Sequence, residues 1–389
     1  MSEIIQNDQT YIAGTYARYP VALTKGMGAR AYDENGKEYI DLGSGIAVNT
    51  FGYGDEEWKK AVTDQMDAIT HASNLYYTDP CARLAKMLSE RTGLKKVFFG
   101  NSGAEANECA VKTARKWAFE KWGNDSHANV ITLVNSFHGR TIAMLSATGQ
   151  DHFHRFFGPF PGGFLYAEAN NLESVKALAD SNPCCAVMLE IIQGEGGVLP
   201  LNAGFLKGVQ ELCRKKDMLF MVDEVQTGNG RTGELFAYMN YGLQPDVVST
   251  AKGLGGGLPI GACMIGDRAK DALKAGDHGS TFGGNPIACA GAVSILSRIT
   301  DEVLTGVKER SSYIISALNG NKNITSISGI GLMLGVEVAG DAREIVTRCA
   351  QRGVLALTAK KKIRLLPPLT IDWDDLKKAI AILGEEIEK

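Results

Sequence analysis

The sequence predicts an α/β protein in which a large domain has a mainly parallel sheet covered by helices, beside a smaller α+β domain built from both chain ends. From about residue 60 to about residue 280, short apolar runs typical of buried strands alternate with helical patterns of about 15 residues. From about residue 285 this alternation ends and fewer, mixed elements follow. We therefore predict an N-terminal segment of the small domain, a large domain and a C-terminal small domain, at 1–60, 61–284 and 285–389.

Each predicted element follows from local sequence. Asn35-Gly36, a dipeptide that favours tight hairpin turns, separates two predicted strands, Ala29–Tyr32 and Lys37–Leu42. Apolar runs predict the strands of the large domain at Lys96–Phe99, Val130–Val134, Ala186–Leu189, Leu219–Val222, Val247–Thr250 and Ala262–Ile265. Helical periodicity between them predicts helices at Glu105–Trp122 and Leu206–Lys216. The C-terminal domain is predicted to contain a Gly-rich strand, a helix, a second strand and a final amphipathic helix, at Gly329–Val338, Ala342–Arg352, Lys362–Leu366 and Trp373–Ile387.

Composition indicates an enzyme and argues against several other classes. Lys and Arg number 41 and Asp and Glu number 44, so the formal charge of −3 argues against nucleic-acid binding and a polybasic membrane contact. Hydrophobic residues make up 44% and charged residues 22%, as in ordinary globular proteins. Glycine supplies 45 of 389 residues, above the usual value of about 7%. Glycines cluster in short loops such as Gly253–Gly257, where a backbone can approach a ligand closely.

The cysteines and the chain start indicate a reducing compartment. The eight cysteines include no Cys-x-x-Cys pair, so no metal site is predicted, and Cys184-Cys185 beside an apolar run is typical of buried free thiols. The first ten residues are polar and acidic, and no apolar run approaches the roughly 18 residues of a membrane span. We expect a cytoplasmic protein without a membrane contact.

A glycine-rich loop, Gly228–Gly233, matches the G-x-G-x-x-G pattern of dinucleotide-binding sites. In such sites the glycines follow the strand directly, and an acidic residue ends the next strand. Here 223–227 intervene and Asp246 precedes its strand, so a nucleotide-binding module is the least favoured interpretation.

Three features at predicted strand ends together favour a different site. Lys252 follows strand Val247–Thr250 and could form an imine, and Asp223 closes an apolar strand and could pair with a pyridinium nitrogen. Ser102 and Glu105 fit a capping box, and the same helix start presents free N–H groups to an anion such as a phosphate. Taken singly, these features also suit a solvated lysine, a capping aspartate and a simple helix cap. Together they are the parts of a pyridoxal phosphate site.

Six ordered motifs then resemble those of class III, fold-type I aminotransferases, nearest the acetylornithine group. They are NSGAEANE (101–108), FHGRT (137–141), QGEGG (193–197), DEVQTG (223–228), TAKGLGGGLPIGA (250–262) and STFGGNP (280–286). The resemblance implies pyridoxal 5'-phosphate as cofactor. It also implies transfer of the terminal amino group of N2-acetyl-L-ornithine to 2-oxoglutarate, giving N-acetyl-L-glutamate 5-semialdehyde and L-glutamate in arginine biosynthesis.

The resemblance also implies roles for individual residues. Lys252 would bond to the cofactor and move the proton, Asp223 would hold the ring nitrogen, and Phe137 would stack on the ring. Thr281 would reach the phosphate in the neighbouring subunit, which implies a homodimer with shared sites. The implied cofactor contacts are Ser102, Gly103, Ala104, Phe137, Asp223, Glu224, Gln226, Lys252 and Thr281. The implied substrate contacts are Arg140, Glu195, Ser280 and Arg364.

Two of these substrate contacts are implied to work as a gate. Arg364, inside an apolar predicted strand, needs a partner if it is buried. From the strand alone, a structural ion pair or an exposed edge arginine is the simpler explanation. The resemblance implies instead that Arg364 takes the α-carboxylate of 2-oxoglutarate and glutamate. Glu195 would neutralise it while the amino donor is bound, and Arg140 would hold a distal carboxylate.

The sequence departs from the family pattern at three places, none of them a predicted cofactor contact. Gly52-Tyr53-Gly54 stands where a Gly-His-x-His-Pro stretch is common, Ile191 replaces a proline, and Asn229 replaces a commonly apolar residue. The amino donor therefore stays open between N-acetylornithine, ornithine, succinyl-diaminopimelate and 4-aminobutyrate. An aminomutase on the same fold is a further alternative.

Overall fold

A computed structural model describes residues 2–389 of the chain. Its helices are α1 (Glu3–Tyr11), α2 (Ser44–Ala47), α3 (Glu56–Ala68), α4 (Asp79–Thr92), α5 (Gly103–Trp122), α6 (Ile142–Ala147), α7 (Asp151–His154), α8 (Leu172–Ser181), α9 (Ala203–Lys215), α10 (Pro286–Arg298), α11 (Asp301–Leu318), α12 (Ala342–Gln351) and α13 (Trp373–Glu388). Short 3-10 turns lie at Ser73–Leu75, Ala237–Tyr241 and Lys252–Leu254.

The strands follow the same chain order. They are β1 (Leu23–Met27), β2 (Arg30–Asp33), β3 (Glu38–Asp41), β4 (Lys96–Gly100), β5 (Asn129–Leu133), β6 (Phe164–Ala167), β7 (Cys184–Glu190), β8 (Ile192–Gln193), β9 (Leu199–Pro200), β10 (Leu219–Asp223), β11 (Val247–Thr250), β12 (Gly261–Ile265), β13 (Ile324–Ile330), β14 (Met333–Val338), β15 (Val354–Leu355), β16 (Leu357–Ala359) and β17 (Lys362–Leu365).

The large sheet has the order β4-β12-β11-β10-β7-β5-β6 and is parallel except at β12, which pairs antiparallel with both neighbours. Strands β7, β10 and β11 are buried along their whole length, as expected of central strands covered by helices on both faces. Register places Asp223 beside Ser249 on one side and Glu190 on the other. The predicted α/β class is therefore confirmed, with the strand ends of β7, β10 and β11 at one edge.

Both chain ends contribute to one smaller unit. β15 near the C-terminus pairs in parallel with β3, so the N-terminal hairpin and the C-terminal region share a sheet of order β1-β2-β3-β15. A second sheet has the order β13-β14-β17-β16. One apolar cluster joins Ile40 and Leu42 to Leu334 and Ile380. This core fixes β17, which contains Arg364, relative to the start of the chain.

The structure corrects two details of the prediction. The segment Gly329–Val338 is not one strand, because it contains the turn of a hairpin between β13 and β14. Gly331 has a φ of +59°, and a Cβ there would lie 2.6 Å from the carbonyl oxygen of Arg231, so only glycine fits this turn. Strand β6 at the sheet edge was not predicted. No helix within residues 2–389 is both long enough and apolar enough to cross a membrane.

Candidate active site

A cavity of about 430 Å³ opens at the carboxyl ends of β10 and β11, beside the start of α5. Ligands of open α/β sheets bind at this edge, where loops leave the strands. Most of the residues predicted from the sequence line this one cavity: Ser102, Gly103, Ala104, Phe137, Arg140, Glu195, Asp223, Gln226 and Lys252. Arg364 lies directly behind Glu195 and Gln226.

Lys252 follows β11 at the cavity wall with a φ of +45°. Within residues 2–389, no side chain or carbonyl accepts a hydrogen bond from its amine. Burial lowers the pKa of Lys252, and Arg364 adds to this shift, although Glu195, Asp223 and Glu190 oppose it. A buried amine with a lowered pKa is a better nucleophile and base at neutral pH than an exposed lysine.

Asp223 ends β10, is only 4% exposed and is held by three donors. Its carboxylate accepts hydrogen bonds from Asn107 Nδ2 at 2.7 Å, His138 Nδ1 at 2.8 Å and the N–H of Val225 at 3.0 Å. Burial disfavours a charged His138, but the hydrogen bond to Asp223 and the charges of Asp223 and Glu190 outweigh burial and raise the pKa of His138. The network fixes the orientation of Asp223 inside the cavity.

The start of α5 has the predicted Ser102 cap and presents free backbone N–H groups. Glu105 N–H donates to Ser102 Oγ at 3.2 Å, as in the predicted capping box. Glu105 Oε2 accepts from the N–H of Asn101, the residue before the N-cap, at 2.7 Å, so the reciprocal bond is made one residue earlier than in a capping box. In the part of the chain that the structure describes, the N–H groups of Gly103 and Ala104 have no acceptor. A Cβ at Gly103 would lie 2.6 Å from Val225 Cγ1, so the backbone packs closely against Val225, which also lines the cavity. This helix start is suited to a phosphate.

Arg140 and Phe137 form the mouth of the cavity. The guanidinium of Arg140 lies 5.4 Å from the ring centre of Phe137 and 4.1 Å from that of Phe153. Arg140 is exposed and makes no ion pair with any residue of 2–389. A cation held by aromatic rings and free of carboxylates is available to a substrate carboxylate.

Arg364 has the partner that its burial requires. Its side chain is 4% exposed, and Nη1 donates to Glu195 Oε1 at 2.6 Å and to Gln226 Oε1 at 3.2 Å. Burial opposes ionisation of Glu195, but the charge and hydrogen bond of Arg364 outweigh it and lower the pKa of Glu195. Nε of Arg364 is buried without a partner within residues 2–389. The arginine is therefore neutralised, and only part of its hydrogen-bonding capacity is used.

Besides Arg364, three predicted residues lie outside this cavity. Ser280 and Thr281 line a separate cavity of about 700 Å³, and Thr281 is exposed. Glu224 points away, and its carboxylate accepts from Thr227 Oγ1 at 2.5 Å and from the N–H of Tyr238 at 2.8 Å. Burial raises the pKa of Glu224 to about 7. The carboxylate of Glu224 therefore does not line this cavity, and its expected contact with the cofactor stays a prediction.

Sequence reasoning missed Glu190, which connects two parts of the cavity. It ends β7 and accepts hydrogen bonds from the N–H of Phe137 at 2.9 Å and of Gly194 at 3.2 Å. Burial raises its pKa to about 7, and Asp223 adds to this while His138 opposes it. An acidic residue at the end of an apolar run, the same signal that identified Asp223, could have found it.

Comparison with known proteins identifies the family of the chain. The sequence matches the family "Aminotransferase class-III" over residues 11–387. The chain belongs to the class III aminotransferases.

Two curated relatives and one solved structure show how close the similarity is. The chain is 48% identical to the acetylornithine aminotransferase of Haemophilus ducreyi, covering 100% of this chain and 99% of that one. It is 43% identical to the succinylornithine transaminase of Yersinia enterocolitica, covering 99% of this chain and 96% of that one. The solved structure is the ornithine aminotransferase of Toxoplasma gondii, crystallized in the presence of oxidized glutathione, with PLP partially occupying its active site. It matches with a TM-score of 0.93 and 35% sequence identity, covering 99% of this chain and 94% of that one.

Proposed function

We propose that this aminotransferase uses pyridoxal 5'-phosphate to transfer the terminal amino group of N2-acetyl-L-ornithine to 2-oxoglutarate. The products are N-acetyl-L-glutamate 5-semialdehyde and L-glutamate, in arginine biosynthesis in the cytoplasm. The observation that supports this most is that the two arginines of the site differ in their partners. Arg140 makes no ion pair within residues 2–389 at the cavity mouth, whereas Arg364 is neutralised by Glu195. An enzyme that alternates between a monocarboxylate donor and a dicarboxylate acceptor needs a second cation that can be exposed or covered.

The residues present fit pyridoxal phosphate. The free N–H groups of Gly103 and Ala104 would hold the phosphate, and Phe137 would cover the ring. Asp223 would hold the ring nitrogen, and Gln226 the ring oxygen. The unpartnered amine of Lys252 is available for a covalent link. When bound, the cofactor supplies an electron sink and carries the amino group.

The chain's own residues would bind and orient the substrates and move the proton. Asp223, fixed by Asn107 and His138, keeps a negative charge inside the cavity. Arg140 binds the carboxylate of the amino donor and so orients its terminal amine towards Lys252. Lys252, with its lowered pKa, takes and returns the proton at the carbon that carries the amine. Glu195 leaves Arg364 when a dicarboxylate needs that arginine.

The test of the donor is a steady-state comparison with 2-oxoglutarate as acceptor. N-acetylornithine is expected to give a higher kcat/KM than ornithine, succinyl-diaminopimelate or 4-aminobutyrate. Lys252→Ala is the control for background transfer. A preference for another of these donors would replace N-acetylornithine, and amino transfer without any 2-oxo acid would indicate an aminomutase.

The proposed homodimer has shared sites, in which Thr281 serves the neighbouring subunit. Its position in a cavity apart from Lys252 favours this role. The test mixes Lys252→Ala chains with Thr281→Ala chains after dissociation and reassembly. Shared sites predict that mixed dimers regain one unaltered site, and so recover activity at limiting cofactor. If Thr281 served its own subunit, mixing would restore nothing.

A further inference from the structure

The backbone of Lys252 adopts a conformation that few residues other than glycine tolerate. Its φ is +45°, and the 3-10 turn Lys252–Leu254 begins on it. A left-handed residue with a side chain is strained and persists only where the surrounding structure determines it. The residues that fix the backbone on either side of Lys252 therefore control where its amine lies.

Asn229 fixes the side that precedes Lys252. Its Nδ2 donates to Thr250 Oγ1 at 3.0 Å and to the carbonyl oxygen of Ala251 at 3.2 Å. Because a carbonyl can only accept, this contact determines which end of the amide is the nitrogen. Asn229 is 3% exposed, so water does not compete for these bonds. Both acceptors belong to the two residues immediately before Lys252.

Thr50 fixes the side that follows Lys252. Its hydroxyl, which is buried, donates to the carbonyl oxygen of Gly253 at 2.7 Å. A Cβ at Gly253 would lie 2.9 Å from this hydroxyl oxygen and 3.3 Å from the Cβ of Asn229. The two side chains therefore approach the turn closely enough that only glycine fits between them.

The amide of Asn229 is not explained by backbone preference alone. Asn229 has a φ of +58°, which asparagine tolerates, but glycine adopts such angles without a side chain, as Gly230 does at +86°. Oδ1 of Asn229 is buried and has no partner within residues 2–389, which is unfavourable. A polar side chain with this disadvantage indicates that its two donated hydrogen bonds matter.

We propose that Asn229 and Thr50 are positioning residues that hold Lys252 in its left-handed conformation and thereby keep its amine at the cavity wall. The inference rests on the role of Lys252 in the proposed function. Neither residue lines the cavity, so both act through Lys252 and not on substrate.

The surroundings of the amine provide a readout that does not depend on turnover. The charged groups facing it are the carboxylates of Glu195, Asp223 and Glu190 and the guanidinium of Arg364. Together with burial they leave the pKa of Lys252 below its usual range. If the turn relaxes, the amine reaches water and its pKa rises, whereas a loss of stability elsewhere leaves this pKa unchanged.

The experiment uses the full chain freed of cofactor, with trace acetylation by acetic anhydride between pH 6 and 11. Mass spectrometry measures acetylation of the Lys252 peptide against that of exposed Lys86. Asn229→Gly keeps the left-handed backbone and removes the amide, and Thr50→Val removes the hydroxyl at nearly constant shape. In each variant we expect the Lys252 midpoint to rise by about one pH unit. Capture of added pyridoxal phosphate should slow roughly tenfold or more, because the amine is misplaced.

Two controls isolate the hydrogen bonds. Thr50→Ser retains the hydroxyl and should behave as the unaltered chain. Asn170→Gly changes another left-handed asparagine, which lies at the surface and bonds to the N–H of Asn202, and should also have no effect. Should Asn229→Gly fail to fold, Thr50→Val alone decides.

The outcomes separate this inference from the proposed function. An unaltered midpoint and capture rate in both Asn229→Gly and Thr50→Val would overturn the positioning role, while transamination by the unaltered chain would stand. Conversely, a shifted midpoint in an enzyme that transfers no amino group would support the positioning role and overturn the proposed function.

Discussion

Replacing Arg364 or Glu195 by alanine should separate the two halves of the reaction. Arg364 is almost fully buried, and its strongest contact is Glu195 Oε1 at 2.6 Å. In Arg364→Ala the α-carboxylate of glutamate or 2-oxoglutarate loses a charge-assisted contact of about 2–4 kcal/mol, so that half-reaction should slow by a factor of ~30 to ~1,000. The half-reaction with N-acetylornithine should change much less, because Arg140 holds that donor.

Glu195→Ala should have the opposite effect on glutamate. The carboxylate of Glu195 is 31% exposed. Its pair with Arg364 should therefore have a net strength of about 1–2 kcal/mol, between the values of exposed and buried pairs. Because a dicarboxylate must break this pair, its removal should raise the preference for glutamate over N-acetylornithine by about 5- to 30-fold.

The assay is stopped-flow spectroscopy of each half-reaction in a single turnover. Lys361→Ala is the matched control, since it removes an exposed cation next to β17. Equal losses in both half-reactions of Arg364→Ala would mean that this arginine has a structural role only. A Glu195→Ala enzyme with unchanged donor preference would refute the gate.

Three further predictions concern the carboxyl ends of the central strands. Lys252→Ala should leave far-UV circular dichroism unchanged, abolish turnover and prevent borohydride from fixing pyridoxal phosphate to the chain; a fixed adduct at another lysine would contradict the assignment. Asp223→Asn should slow single-turnover rates while the cofactor stays bound, and unchanged rates would exclude its role. Glu224 has a folded-state pKa of about 7, above its unfolded value, so the folded state binds the extra proton and this residue's contribution to stability falls as pH rises from about 4.5 to 7. Glu224→Gln should remove about 2 kcal/mol of that fall between pH 5.5 and 8.5, measured by urea unfolding with cofactor concentration held constant.

The sheet and the centre of the site could be predicted because both depend on local sequence. Apolar runs mark β10 and β11, and parallel strands bring their carboxyl ends to one edge, so Asp223 and the Lys252 turn had to be neighbours. Glu224 could not be assigned in this way. Its carboxylate accepts hydrogen bonds from the hydroxyl of Thr227 and from the N–H of Tyr238, and the sequence around residue 224 does not reveal these donors.

The features that could not be predicted from the sequence are determined by tertiary contacts and not by local conformational preference. The short segment α2 (Ser44–Ala47) is a left-handed turn, because all four of its residues have positive φ. Only Gly45 is a glycine, and such a run is disfavoured by local sterics. A buried hydrogen bond from Ser44 Oγ to the carbonyl oxygen of Leu366 at 2.5 Å stabilises the turn from the other end of the chain. No property of the sequence around residue 44 reveals that partner.

The proposed gate would depend on the small sheet as much as on its two charges. Arg364 pairs across the sheet with Gly335, and a Cβ at Gly335 would lie 2.8 Å from the Cβ of Val198. Val198 closes the loop that contains Glu195, and its carbonyl oxygen accepts a hydrogen bond of 2.7 Å from Ser328 Oγ. The same sheet therefore positions the arginine and anchors the loop that covers it. Because this anchor lies three residues beyond Glu195, the carboxylate can leave Arg364 while the loop base stays in place.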